Sequence, residues 1–212
     1  IWQLFADNFH LFRGTPSGAW LKHELEDVFG VTEPMNGSTA KAIYDHLERK
    51  LAAAEFRPRA LFERFNIEVL CTTDAATDPL TWHQQIRDSG WNAAIRPTFR
   101  PDLAINVLHP SWREEIDRLG RLSGRPINSY GRYIAALEDR RGFFKRMGAT
   151  ATDHAAVTPY TAELSRQHVD ALFERALSGE ASPDDANAFT GHMLMEMARM
   201  SVEDGLVMQL HP

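Results

Sequence analysis

Ile67-Glu68-Val69-Leu70-Cys71-Thr72, continued by Thr73-Asp74, is where the character of the chain changes. It is a short apolar run rich in β-favouring residues that stops at polar ones. Three runs of the same kind follow, AAIRPTF at 93–99, TATD at 150–153 and LVMQL at 206–210. Amphipathic stretches separate them at the spacing of βα units, so the sequence predicts an α/β fold with a parallel sheet covered by helices. The intervening helices are signalled by Ser111 with Glu114 as a capping box, Gly148 as a stop, and Ser182-Pro183-Asp184-Asp185 as a start. The helix opened at Ser182 carries Phe189, Met193, Met197 and Met200, a stripe that reads as core filler. No Gly-rich turn follows the first run, and neither G-x-G-x-x-G nor a P-loop lysine motif occurs. Of the two parallel architectures, this favours a (β/α) barrel over a doubly wound sheet.

Upstream of Ile67 the apolar residues recur every three or four positions, the period of packed helices. Trp20, Leu21, Leu25, Val28 and Phe29 form one stripe. Ile43, Leu47 and Leu51 form a second, entered through Ser38 as N-cap, and Pro58 opens a third helix with Leu61, Phe62 and Phe65. The predicted organisation is a helical domain at 1–65 and part of a barrel at 66–212.

Composition narrows the partners. The 212 residues carry a net charge of −6 with 43% hydrophobic and 25% charged side chains, an ordinary globular balance, and lysines and arginines are scattered among acids. No basic face is available to neutralise phosphates, which excludes nucleic acid as the expected partner. No apolar stretch is long enough for a bilayer and no signal peptide is visible, so the expected location is the cytoplasm and no membrane partner is expected. The single cysteine, Cys71, reads as a buried structural thiol. Ile1 lacks a preceding Met and the sequence stops at Leu-His-Pro after an apolar run; both ends read as cuts.

The chemistry-bearing pattern is a polar residue just after each apolar run, where a barrel presents its site. These positions hold Asp74, Arg100 with Asp102, Asp153 with His154, and His211. Asp153 is the candidate general base or substrate anchor, and His211 a candidate acid/base group or metal ligand. Arg100, between a strand and Pro101, suits paired hydrogen bonding to a carboxylate. Asp74 is a substrate-binding candidate. Each has a plainer alternative: Asp74 as an Asx-turn or cap residue ahead of Asp78-Pro79, Arg100 as the ion-pair partner of Asp102, His211 as a strand-end residue. His154, adjacent to Asp153, would point to the other side of a continuing strand and take a structural role. His23-Glu24 is followed at the fourth place by Asp27, so no zinc-protease helix is formed. In Gly14-Thr15-Pro16-Ser17-Gly18 the serine stands one place late for a nucleophile elbow.

Five segments, in order, resemble those of one family: Phe12-Arg13-Gly14-Thr15-Pro16; the run from Phe56 to Phe65; Leu70-Cys71-Thr72-Thr73-Asp74; Phe99-Arg100-Pro101-Asp102; and Thr152-Asp153-His154. The chain resembles the uronate isomerases of the amidohydrolase superfamily. The resemblance implies a partial (β/α)8 barrel of the TIM type, the four runs being strands two to five, with an N-terminal helical insertion. It implies aldose–ketose isomerisation of D-glucuronate to D-fructuronate and of D-galacturonate to D-tagaturonate, in hexuronate catabolism, with a divalent metal, zinc being the expected one. It also places Arg100, Asp153 and His211 on active-site positions, His211 being the one metal-ligand candidate in this sequence. The family's His-x-His strand, its later Asp and its assisting Tyr are not found here, so this chain alone is expected to be inactive. The expected partner is a small hexuronate, with a homo-oligomer left open. Two rival readings are another metal-dependent hydrolase of the same superfamily and a non-catalytic fragment.

Overall fold

A computed structural model describes residues 1–211, which divide between Ile67 and Glu68 into two units. The first is helical: α1 Trp2–Asp7, α2 Pro16–His23, α3 Ala40–Ala52 and α4 Pro58–Arg64. Proline takes the first helical position of α2 and of α4, where its missing N–H costs nothing, and the Thr15 side chain caps α2 by accepting from Gly18 N at 3.0 Å. A small core of Ala6, Val31, Met35, Ala40 and Ile43 gathers Leu25, Phe29 and Leu47 around it. The predicted stripes are therefore only partly used, since Trp20, Leu51 and Phe65 are exposed. Ser38 does not cap α3. Thr39 takes that place without a side-chain cap bond, because Asn36 Oδ1 already accepts from the N–H and hydroxyl of Ser38 and the Thr39 hydroxyl donates to Pro34 O.

The second unit holds the strands β1 Val69–Cys71, β2 Asp74–Ala75, β3 Ala94–Arg96, β4 Phe99–Arg100, β5 Ala151–Ala155 and β6 Val207–His211. All pairings are parallel: β1 beside β3, and β2-β4-β5-β6 in that order. The four predicted runs thus lie side by side in chain order, the first two each broken in the middle. Pro97 interrupts the second, having no N–H to give the ladder. Pairing resumes around the break, with Thr72 N donating to Arg96 O at 2.9 Å and Asp74 N to Thr98 O at 3.0 Å.

Helices α5 Thr81–Asp88, α6 Asp102–Ile105, α7 Trp112–Leu122, α8 Tyr130–Arg146, α9 Arg166–Ser178 and α10 Pro183–Asp204 connect these strands. One face of the sheet is sealed by them: Phe99 of β4 meets Phe144 of α8 edge to face, and Tyr133, Phe173, Phe189, Met193 and Met197 continue the core. The predicted filler role of Phe189, Met193, Met197 and Met200 holds, all four being buried. Ser182 and Asp185 form a complete capping box on α10, and Gly148 follows the end of α8 with φ 93°. Ser111 forms none. Its backbone, φ −91° and ψ 6°, is not the extended conformation a capping serine needs, and its N–H donates to His109 Nδ1.

Arg141 lies inside this core, its Nε and Nη2 donating to the Asp204 carboxylate at 2.6 and 3.0 Å. Cys71 is exposed rather than buried. The burial tendency of free cysteine presumes cover on the strand, and Val69, Leu70 and Cys71 are all open to solvent here. Among the described residues no helix is long and apolar enough to cross a membrane.

Candidate active site

Alternation along a strand sends successive side chains to opposite faces, and laterally paired residues of parallel strands share a face. Asp74 pairs with Phe99, Phe99 with Thr152, and Thr152 with Met208. Phe99 packs on α8, so this is the helix-covered face. Ala75, Arg100, Asp153 and Gln209 stand one residue further on and look the other way. His211, two beyond Gln209, joins them.

On that open face four side chains form a chain of contacts. The Nδ1–H of His211 donates to Asp153 Oδ1. Asp153 Oδ2 lies 3.4 Å from Arg100 Nη1. Arg100 Nε donates to Asp102 Oδ2 at 2.5 Å, and Asp102 Oδ1 accepts from Ala155 N, the last residue of β5, at 3.1 Å. Three of the residues singled out from the sequence, Arg100, Asp153 and His211, are thereby brought together. The expected ion pair of Arg100 with Asp102 is present, and Asp153, which was not expected as its partner, is a second one.

Burial grades the members. The Asp153 side chain is only 6% exposed and that of His211 64%, so the carboxylate forms the floor and the imidazole the rim. An ionised carboxylate can only accept, which assigns the proton of this bond to Nδ1 and leaves the His211 Nε2 lone pair pointing outward. Asp102 above all, and Asp153 after it, keeps the Arg100 guanidinium more firmly protonated than an ordinary arginine.

Asp74 is not part of this group. Its Oδ2 accepts from the Thr72 hydroxyl at 2.7 Å, and His83 Nε2 of α5 sits 2.8 Å from the same hydroxyl. The hydroxyl has one proton, committed to the carboxylate, so His83 is the donor to it. The Asx turn belongs to Asp78, whose Oδ1 accepts from Leu80 N at 2.7 Å. Thr72 and His83 were not singled out from the sequence. The available signal was the spacing of Leu80 and His83, three apart as on one face of a helix; both are buried in the structure.

His154 continues β5 on the covered face as expected, 1% exposed, with Nε2 2.9 Å from the Thr152 hydroxyl. Burial first, and Arg141 and Arg100 in part, push its pKa down to about 4. Its Nδ1 is buried without a hydrogen-bond partner.

Among the described residues no group of three or more His, Cys, Asp or Glu is arranged to hold a metal ion. At the site, Asp153 is spent on His211 and Arg100, and Asp102 on Arg100. His211 Nε2 is the single outward donor they leave. These residues alone do not fit a divalent metal.

The glucuronate isomerase family model matches residues 1–212. The uronate isomerase of Nostoc punctiforme is 59% identical over 211 residues, covering 100% of this chain and 44% of that protein. That of Brucella suis biovar 1 is 48% identical over 212 residues, covering 100% of this chain and 45% of that protein. The crystal structure of glucuronate isomerase from Caulobacter crescentus superposes with a TM-score of 0.92 at 43% identity, over 100% of this chain and 44% of that one. The uronate isomerase structure from Thermotoga maritima gives 0.89 at 30% identity, over 99% of this chain and 46% of that one. The chain spans less than half the length of the curated relatives it matches.

Proposed function

Because this chain belongs to the glucuronate isomerase family, we propose that it supplies the middle part of a uronate isomerase active site. Its four runs are then the second to fifth strands of a (β/α)8 barrel, with the helical unit as an insertion. The reaction is aldose–ketose isomerisation, D-glucuronate to D-fructuronate and D-galacturonate to D-tagaturonate, in a cytoplasmic hexuronate catabolism.

The observation that supports this most directly is the bond between Asp153 and His211 at the open end of a parallel sheet. Isomerisation moves a proton between C1 and C2 of the open-chain sugar, which requires a positioned base with a lone pair toward the substrate. His211 Nε2 has that lone pair, and Asp153 holds the ring in the tautomer that exposes it. Asp153 is then the orienting group and His211 the base. Arg100 is flanked by two carboxylates, Asp102 and Asp153, so its charge is already balanced. Its free Nη2 edge suits a hydroxyl or carbonyl oxygen of the sugar better than a second anion.

The divalent metal implied by the family, zinc in the first instance, would take most of its ligands from residues other than these; no step of the proton transfer described here runs through it.

The test is conversion of D-glucuronate by the full-length protein, followed by NMR, with the wild type and His211→Asn. Turnover by the wild type and its loss in the variant are expected. Absence of uronate turnover together with hydrolysis of lactones or esters would replace this reading with the hydrolase one.

A further inference from the structure

We propose that Asp102 is a positioning residue of this site, one that locks the Arg100 guanidinium against Asp153; this rests on the isomerase reading for its kinetic consequence only. Asp102 opens α6, separated from β4 by Pro101 alone, and its two oxygens are used on two different strands. Oδ2 takes the Arg100 Nε–H at 2.5 Å and Oδ1 the Ala155 N–H at the end of β5 at 3.1 Å. The guanidinium is planar, so fixing Nε and one direction of approach fixes the whole fork. With Nε tied to Asp102, Nη1 stays 3.4 Å from Asp153 Oδ2, and Asp153 in turn holds the Nδ1–H of His211.

A free arginine side chain would lose this register. Arg100 is partly exposed, its side chain 37% accessible, and packing alone does not hold a chain with so many rotatable bonds. Pro101 restrains the backbone on one side, but the side chain still needs a second anchor. Asp102 supplies it, and through Ala155 the anchor is referred to the strand that carries Asp153. The order of contacts, β5 backbone to Asp102 to Arg100 to Asp153 to His211, closes a loop around the end of β5.

A double-mutant cycle in the full-length protein tests this, using Asp102→Ala, Arg100→Ala and both together. If Asp102 acts through Arg100, Asp102→Ala lowers kcat/KM by about tenfold or more beside the native arginine and by less than about twofold in the Arg100→Ala background. Equal losses in both backgrounds would overturn the proposal, because a merely structural tie costs the same in each. Asp102→Asn guards against a folding defect. Its oxygen can keep the Ala155 N–H, but its amide then opposes the Arg100 Nε–H, so it should lose as much activity as the alanine variant; full activity would overturn the proposal. A crystal structure of Asp102→Ala gives a readout independent of turnover. The guanidinium should leave Asp153, and a guanidinium found unmoved would also sink it. If the wild type lacks uronate turnover, the isomerase reading fails, and the structure of the variant alone decides the role of Asp102.

Discussion

His211 ends β6 two residues beyond the register partner of Asp153, and the carboxylate reaches along the sheet face to hold its Nδ1–H. Asp153→Asn would keep the shape while presenting an amide that can also donate, which favours the wrong imidazole tautomer. In the full-length protein kcat should fall by roughly 10²- to 10⁴-fold, the contribution of a positioned acid–base group, with the upper end matching the loss of about 10⁴ when the orienting carboxylate of a Ser-His-Asp triad is neutralised. His211→Asn should cost about as much, and the double variant little more than either alone. Independent, multiplying losses measured by steady-state kinetics would show that the two do not act as one unit.

Arg100→Ala should reduce kcat/KM for uronate by about ten- to a hundredfold, the loss of one or two charge-assisted hydrogen bonds at ~1.5–3 kcal/mol. Arg100→Lys keeps the charge and loses the fork, so it should recover only part of this. Folding should suffer less than turnover, because Arg100 is partly exposed and Asp153 keeps His211 as a partner. Kinetics and thermal melts on both variants check it, and unchanged kcat/KM for the alanine variant would remove Arg100 from the site.

His154 makes the stability of the chain depend on acid. Its pKa is pushed down from 6.5 to about 4 by burial, so the folded protein resists a proton that the unfolded chain accepts. Its contribution is fully present above pH 6.5, is lost as the pH falls from there toward 4, and changes no further below. The gap corresponds to something on the order of 3 kcal/mol. His154→Gln removes the titration and keeps a partner for the Thr152 hydroxyl. Urea melts at pH 7 and 4.5 should show a smaller acid loss for the variant, and an identical loss would refute the assignment.

Arg141 is 1% exposed and bonded to Asp204 and Ser201 between α8 and α10. Arg141→Ala leaves an acidic partner without its cation and opens a hole beside Phe99. A loss of about 3–5 kcal/mol is typical of such broken pairs, and the lower end applies because Asp204 is partly exposed. Chemical denaturation should show it, with Arg141→Met losing less by filling the space. A loss below about 1 kcal/mol would mean that the pair is not integral to the fold.

The parallel order of the four runs was legible because each apolar run ended in polar residues and amphipathic helices separated one run from the next. Arg100, Asp153 and His211 converge for the same reason, as strand-end residues of one face. Asp74 fails on parity: the break at Thr72-Thr73 and the pairing of Asp74 with Phe99 send it to the helix side, and a one-residue difference in register is invisible in composition. Ser38 and Ser111 show a similar limit, since capping needs a backbone conformation as well as a hydroxyl. Cys71 shows a third, because burial belongs to the neighbours of a strand and not to the strand.

β6 pairs on one side with β5 and has no strand on the other among the described residues. Its sequence, Val207-Met208-Gln209-Leu210-His211, contains neither lysine nor proline, the residues that usually guard such an edge, and Val207 and Leu210 are exposed on it. In the barrel proposed above the next strand would pair on this ladder, so a sequence without edge guards is what a strand flanked on both sides calls for.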